Sequence, residues 1–460
     1  MSKPSKLMRS VSGIRGIVGP DFNPIVIAGY VNAFVRLLGA KRVVVGRDTR
    51  PTGPMVEQAV VSAITAAGAE VVMLGMTTTP TVEMAVLTEK ADAGVIITAS
   101  HNPLEWNALK FLNGEGIFLD EEAVRKLFAL VDAGDFAWVD HAGVGKVTRK
   151  DTAAHYEGGA DEAHIKATLA LPGIDVDLIR SRNFRVAYDA VNGAGSLIIP
   201  ELLRRLGCEV HAIHVTPDGI FPHGAEPTPE NLADLGRAVR EHGCAVGFAT
   251  DPDSDRCALV NERGEAVGEE YTLAIAVASY LRKNPGPVTV NLSTSRMSAD
   301  LAARHGVPFA RGKVGEINVT MEMKKNGSVI GGEGNGGVIL PALHYGRDGV
   351  LAVAMVLQAM AERDLPLSGL IADIPAYHID KRKFELGSTS LPEVYARLEK
   401  TFAGAEIDRR DGLWFGWESE RSWVHVRPSN TEPVIRAIAE APTAAEAARL
   451  CGMVEAMLAS

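Results

Sequence analysis

Gly94-Val95-Ile96-Ile97-Thr98-Ala99-Ser100-His101-Asn102-Pro103 is the stretch on which the fold class turns. A short apolar, largely β-branched run ends abruptly in a loop of hydroxyls, an imidazole and an amide. Consecutive apolar positions over so short a run fit a strand buried on both faces of a sheet. Helical and strand patterns alternate around it. Residues 26–38 and 56–67 read as helices, 42–45, 71–74 and 94–97 as buried strands, and 120–131 closes the unit. That alternation predicts an α/β unit with a mostly parallel sheet.

The pattern restarts after a polar stretch at 148–160. Strands are expected at 184–188, 210–214 and 245–249, with helices at 197–206 and 231–242. The turn signal Asn261-Glu262-Arg263-Gly264 opens a third unit, with helices at 271–281 and 349–361 and strands at 288–291 and 329–330. The end of the chain differs: strands at 413–417, 423–426 and 434–439 precede a helix at 444–458, as in a small α+β domain. The expected architecture is α/β, with three similar mixed α/β domains and a C-terminal α+β domain around a central cleft. The expected boundaries are 1–150, 151–256, 257–368 and 369–460.

Composition narrows the function. The chain has 460 residues, 46% hydrophobic and 23% charged, which excludes disorder, collagen and a coiled coil. No apolar run approaches the ~20 residues of a membrane span. Residues 1–12 carry basic side chains without a following apolar stretch, unlike a secretory signal. A net charge of −10 argues against broad nucleic-acid binding but leaves room for a local basic cleft. Cys208, Cys244, Cys257 and Cys451 include no CxxC pair, so neither a cysteine zinc site nor a disulfide framework is expected. A reduced, cytoplasmic protein is the expectation.

Each α/β unit has a distinctive polar loop after a hydrophobic strand, where open α/β sheets bind ligands. Asp251-Pro252-Asp253-Ser254-Asp255-Arg256 sets three carboxylates at alternate positions. An all-oxygen donor set suits Mg²⁺ better than zinc or copper; the bland reading is an acidic turn. The glycine and terminal Glu of an EF-hand loop are absent. Ser100 could be a nucleophile, a phosphate carrier or a turn former. Adjacent His101 invites a serine-hydrolase reading, but no G-x-S-x-G elbow is present. Gly331-Gly332-Glu333-Gly334-Asn335-Gly336-Gly337 lets the backbone approach a ligand, with Glu333 and Asn335 suited to sugar hydroxyls; a flexible linker is the alternative. Arg427-Pro428-Ser429-Asn430-Thr431-Glu432-Pro433 could form an anion nest, with Arg436 adding to it, or an ordinary hairpin. Ser12-Gly13-Ile14-Arg15-Gly16 is a glycine-flexed loop carrying one Arg.

Taken in order and at these spacings, TASHNP, DPDSDR, the GE-containing loop and RPSNTEP resemble the α-D-phosphohexomutases, as do 12–16, Gly46-Arg47-Asp48-Thr49-Arg50 and Asp189-Ala190-Val191-Asn192-Gly193-Ala194-Gly195. The resemblance covers nearly the whole chain. It implies four domains around a deep cleft, a phosphorylated Ser100, and Mg²⁺ held by Asp251, Asp253, Asp255 and a phosphoryl oxygen on Ser100. It further implies that Glu333 and Asn335 face sugar hydroxyls. Arg427, Ser429, Asn430 and Thr431 would clamp the phosphate that is not transferred, and Arg15, His101, Lys110 and Arg256 would lie near the one that is.

The implied reaction interconverts hexose 6-phosphate and hexose 1-phosphate through a hexose 1,6-bisphosphate. Lys110 could move the hydroxyl proton if burial and neighbouring cations lower its pKa. Some members read GE-x-S-G-H or GE-x-S-A-H where this chain has Asn335 and Gly337. Its GE-x-N-G-G form is similar to the phosphoglucosamine mutase branch, with phosphoglucomutase/phosphomannomutase as the alternative. An aspartyl phosphatase using Asp251 as nucleophile would leave TASHNP without a role. A non-catalytic sugar-phosphate binder would have no need of Ser100, the three aspartates, Lys110 and Arg256 together. The expected partner is a phosphosugar, with no nucleic acid or membrane, in a monomer or homodimer.

Overall fold

The computed structural model describes residues 7–150, 158–385, 390–428 and 434–459. The first sheet runs, side by side, Met8–Ser10, Gly13–Ile17, Trp106–Asn113, Ala93–Ile97, Arg42–Arg47, Glu70–Met76 and Val147–Arg149. Its four strands from Ala93–Ile97 to Val147–Arg149 are parallel. The other three pair antiparallel, so the sheet is mixed rather than mostly parallel. The reason lies in the connection. The chain passes from Ala93–Ile97 to Trp106–Asn113 without a crossover helix, and parallel neighbours need one of a dozen or so residues.

The second sheet has the order Cys257–Val260, Val246–Thr250, Arg185–Asp189, Glu209–Ile213. Cys257–Val260 pairs antiparallel with Val246–Thr250, carrying this sheet to Val260, past the expected boundary at Arg256. The third has the order Phe309–Gly312, Val288–Asn291, Ile330–Glu333, Gly337–Leu340, His344–Arg347. The fourth is antiparallel: His378–Glu385, Val434–Ala441, Ser422–Pro428, Leu413–Trp417, Glu406–Asp408.

One device recurs in the first three sheets. A strand of the parallel set turns back into an antiparallel neighbour, and the turn is a chemically loaded loop. TASHNP joins Ala93–Ile97 to Trp106–Asn113, DPDSDR joins Val246–Thr250 to Cys257–Val260, and residues 334–336 join Ile330–Glu333 to Gly337–Leu340.

Packing ties the units together. In the helix Gly349–Arg363 every residue from Gly349 to Ala361 is buried. It packs with the helix Glu270–Leu281 in one apolar core that spans the second and third sheets. The first sheet and the C-terminal domain have cores of their own. The C-terminal domain docks on the third unit through Leu292, Trp414 and Trp423, and Ser293 Oγ lies 2.8 Å from His425 Nδ1. No described helix is long and apolar enough to cross a membrane, and the four cysteines are free.

Candidate active site

Ser100 stands at the first turn beyond Ala93–Ile97, with φ +47°, a left-handed conformation that a serine adopts only when its surroundings hold it there. The holder is Arg50, which is fully buried. Its guanidinium donates to the carbonyls of Ser100 (2.7 Å), Asn102 (2.6 Å), Pro103 (2.7 Å) and Trp106 (3.0 Å), and through Nε to Asp48 (3.2 Å). Asp48 in turn accepts from Thr98 Oγ1 at 2.6 Å, and Thr98 Oγ1 accepts from the Ser100 N–H at 2.9 Å. A planar fork with several fixed donors suits this task, and a lysine could not reach all four carbonyls. Arg50→Lys keeps the charge beside Asp48 but loses guanidinium–carbonyl bonds, at a cost of roughly 1.5–3 kcal/mol for each one lost. Thermal melting checks it; an unchanged midpoint would remove Arg50 as the loop's organiser.

The pinned loop aims Ser100 Oγ at the second unit, where it donates to Asp251 Oδ2 at 2.9 Å. Asp251, Asp253 and Asp255 are buried, and each offers a carboxylate oxygen within 4.8 Å of the others. Burial, and then the charges of Asp255 and Asp253, push the Asp251 carboxyl well above its ordinary range. Asp253 Oδ1 and Asp255 Oδ1 are buried without a hydrogen-bond partner. Crowded carboxylates with unpaired oxygens and no nitrogen or sulfur donor fit a hard divalent cation.

Cations surround the cluster. Lys110 Nζ donates to Asp253 Oδ2 at 2.7 Å, and Arg256 Nε lies 3.9 Å from Asp251 and 3.7 Å from Asp255. Burial alone would lower the Lys110 pKa, but Asp253 and Asp255 outweigh it and raise the value above that of free lysine. The lowering on which a proton-transfer role for Lys110 depends is thus reversed, because its nearest neighbours are carboxylates. Burial and Arg256 drop His101 to about 4, so its ring, 3.4 Å from Ser100 Oγ, is a neutral imidazole at neutral pH. Arg15 donates to Asn102 Oδ1 at 3.0 Å, which puts it against the same loop.

Glu333, nearly fully buried, accepts from Asn291 Nδ2 (2.7 Å), the Gly315 N–H (2.9 Å) and Arg347 Nη1 (2.7 Å). Three donors already engage it, so its carboxylate is less open to a sugar than a loop position suggests. Asn335 is half-buried and accepts from the Gly337 N–H at 3.3 Å. A Cβ at 334 would meet the Glu270 carboxylate at 2.1–2.2 Å, so a larger residue there would have to displace that side chain.

Arg347 is the side chain that the motifs do not reveal. One guanidinium donates to Glu333, to Glu316 (3.0 Å) and to Asp255 Oδ2 (2.5 Å), which links the sugar loop to the acidic cluster. Glu226, 3.1 Å from Arg256, is a second such residue. The only sequence signal for Arg347 is a cation just before the helix Gly349–Arg363.

On the C-terminal sheet, Arg427 faces Arg436 across one strand pair, and Arg436 faces Lys383 across the next. Asp411 Oδ1 lies 3.3 Å from Arg427 Nε, and Asp411 Oδ2 accepts from the Val314 N–H at 3.0 Å, which ties this face to the third unit. Ser429, Asn430 and Thr431 lie outside the described residues.

Known proteins match along the whole chain. The four consecutive domains of phosphoglucomutase/phosphomannomutase match residues 6–138 (α/β/α domain I), 162–264 (domain II), 269–377 (domain III) and 381–457 (C-terminal domain). A probable phosphoglucosamine mutase of Methanopyrus kandleri is 37% identical over 95% of both chains. A phosphoglucomutase/phosphomannomutase of Thermococcus kodakarensis is 36% identical over 93% of both. Among solved structures, a phosphoglucomutase/phosphomannomutase family protein of Burkholderia thailandensis superposes with a TM-score of 0.83 at 26% identity, covering 98% of each chain. With all four domains matched in order and relatives of this identity over nearly the full length, the chain belongs to the phosphoglucomutase/phosphomannomutase family of phosphohexomutases.

Proposed function

We propose that the protein interconverts hexose 6-phosphate and hexose 1-phosphate, with glucosamine phosphate as its preferred sugar and Ser100 as the phosphoryl carrier. The observation that carries this reading is the 2.9 Å contact between Ser100 Oγ and Asp251, inside a cluster of three buried aspartates. Asp251, Asp253 and Asp255 would hold Mg²⁺, which supplies positive charge beside the phosphoryl oxygens.

In the forward direction the Ser100 Oγ–P bond breaks as the sugar O1–P bond forms, giving a hexose 1,6-bisphosphate. The bisphosphate turns round, its O6–P bond breaks, and the phosphoryl returns to Ser100. Arg256 and the cationic Lys110 lie beside the acidic cluster, where they can neutralise charge on the moving phosphoryl. The row Arg427, Arg436 and Lys383 offers an anion site for the phosphate that is not moving.

Glucosamine is favoured by the GEGNGG loop and by the 37% identical relative. The 36% identical phosphoglucomutase/phosphomannomutase supports glucose or mannose as the second reading. A panel of hexose 1-phosphates, primed with hexose 1,6-bisphosphate, separates them. Glucosamine 1-phosphate should show the highest kcat/KM, and a higher value for glucose or mannose would transfer the assignment to the second reading.

The distal clamp makes its own prediction. Arg427→Ala should lower kcat/KM at least roughly tenfold, the loss of a charge-assisted hydrogen bond of ~1.5–3 kcal/mol, without blocking phosphorylation of Ser100. The bisphosphate should escape more often as it turns, so added bisphosphate should restore part of the turnover. Wild-type kinetics in this variant would mean that the strand pair is only structural.

A further inference from the structure

A second cluster of ligating side chains lies away from the acidic loop, at the carboxyl ends of Arg185–Asp189 and Glu209–Ile213. Asp189 Oδ2 is 3.0 Å from His214 Nδ1 and 3.1 Å from His223 Nε2, and the two imidazole nitrogens and the carboxylate oxygen all lie within 4.8 Å of one another. Asp189 is buried, whereas His214 and His223 keep 23% and 17% of their side-chain surface exposed, so the cluster opens to solvent on one side. His214 holds the left-handed backbone at φ +48°.

The loop between the histidines is fixed by Asn192. Its Oδ1 accepts from the Thr216 N–H at 3.1 Å, its Nδ2 donates to the Ile220 carbonyl at 2.9 Å, and its N–H donates to the His214 carbonyl at 2.7 Å. The backbone of that loop is therefore fixed by contacts that do not involve Asp189.

The proton inventory is the informative part. His223 Nδ1 is 2.9 Å from the Gly224 carbonyl, an acceptor only, so Nδ1 carries the proton. In the neutral ring Nε2 is then a bare lone pair facing a carboxylate oxygen at 3.1 Å. That juxtaposition is repulsive unless a proton or a cation occupies it. The outer hydrogen bond to a backbone carbonyl is also the usual way of fixing a metal-ligating histidine in its ligating tautomer.

We infer that Asp189, His214 and His223 form a second divalent-metal site that takes a zinc-class transition ion rather than Mg²⁺. Two imidazoles and one carboxylate suit Zn²⁺ and its neighbours, with a position left for water on the open side, while Mg²⁺ prefers oxygen alone. The site braces a loop that reaches the catalytic face. Phe221 packs under the Arg50 guanidinium at 5.2 Å, and Glu226 holds Arg256.

The test uses the full-length protein with Zn²⁺ as probe, in millimolar Mg²⁺ to saturate the acidic cluster. After gel filtration the wild type should retain about one equivalent of zinc. His223→Gln keeps a side chain able to hydrogen-bond Asp189, and His214→Asn tolerates the left-handed backbone; each should hold zinc at least about tenfold more weakly. No retained zinc in the wild type, or equal retention in both variants, would overturn the assignment. Co²⁺ on the wild type gives a readout independent of folding in the variants. Intense visible absorption, as from a four-coordinate nitrogen-containing site, is expected, and only the weak absorption of an all-oxygen octahedral site would contradict it.

Discussion

Ser100→Ala should lower mutase turnover at least about a thousandfold, as removal of a covalent carrier does, while the protein stays folded. The side chain is one hydroxyl on a loop, and its structural losses are the hydrogen bond to Asp251 and the longer 3.4 Å contact with His101. Together they cost on the order of 1 kcal/mol, a shift of a few degrees at most for a chain of this size. The backbone anchors of the loop do not depend on the hydroxyl, because Arg50 grips the Ser100 carbonyl and Thr98 accepts from its N–H. Coupled-assay kinetics and a thermal melt check the two halves. Turnover within about tenfold of wild type would end the phosphoserine account.

The second large effect is expected at Asp253. Lys110 Nζ at 2.7 Å and Thr79 Oγ1 at 2.8 Å reach its Oδ2, while Oδ1 is buried without a hydrogen-bond partner. Burial raises its pKa, but Lys110 and Thr79 more than reverse this and hold it ionised far into acid. Asp253→Asn removes a negative charge from the cluster and leaves Lys110 without its nearest counter-ion. Turnover should fall roughly a hundredfold or more, and the Mg²⁺ concentration needed for half-maximal rate should rise. An unchanged Mg²⁺ titration would mean that DPDSD is an acidic turn.

Local runs of residues carried much of this architecture. Ile96-Ile97 before TASHNP, and the apolar run before DPDSDR, are short buried strands whose alternation with helices needs no distant information. The same holds for the loops themselves, since their donor atoms are contiguous in sequence. Trp106–Asn113 is harder to read, because Asn107 and Lys110 interrupt its apolar run; yet Lys110 belongs there, pointing its ammonium at Asp253 in the neighbouring unit. His378–Glu385 is a charged edge strand whose faces alternate between half-buried and exposed, without an apolar stripe. Thr79–Thr88 is rich in threonine and valine, poor helix formers, and is held by burial along most of its length. The role of Arg50, though it stands in a quoted motif, and Arg347 altogether, remained hidden for one shared reason. Their partners come from segments far away in sequence, four loop carbonyls for one and Asp255, Glu316 and Glu333 for the other. No spacing rule registers a guanidinium whose role is set by tertiary contacts.

The central claim is that Ser100 carries the phosphoryl group between the two ends of the sugar. Dephosphorylated enzyme, incubated with hexose 1,6-bisphosphate and Mg²⁺, digested and weighed peptide by peptide, tests it directly. The account predicts one added phosphoryl on the peptide containing Ser100, removed again when excess hexose 6-phosphate is supplied, and no added mass in Ser100→Ala. A phosphoryl found on Asp251, or none on any peptide while turnover proceeds, would contradict it.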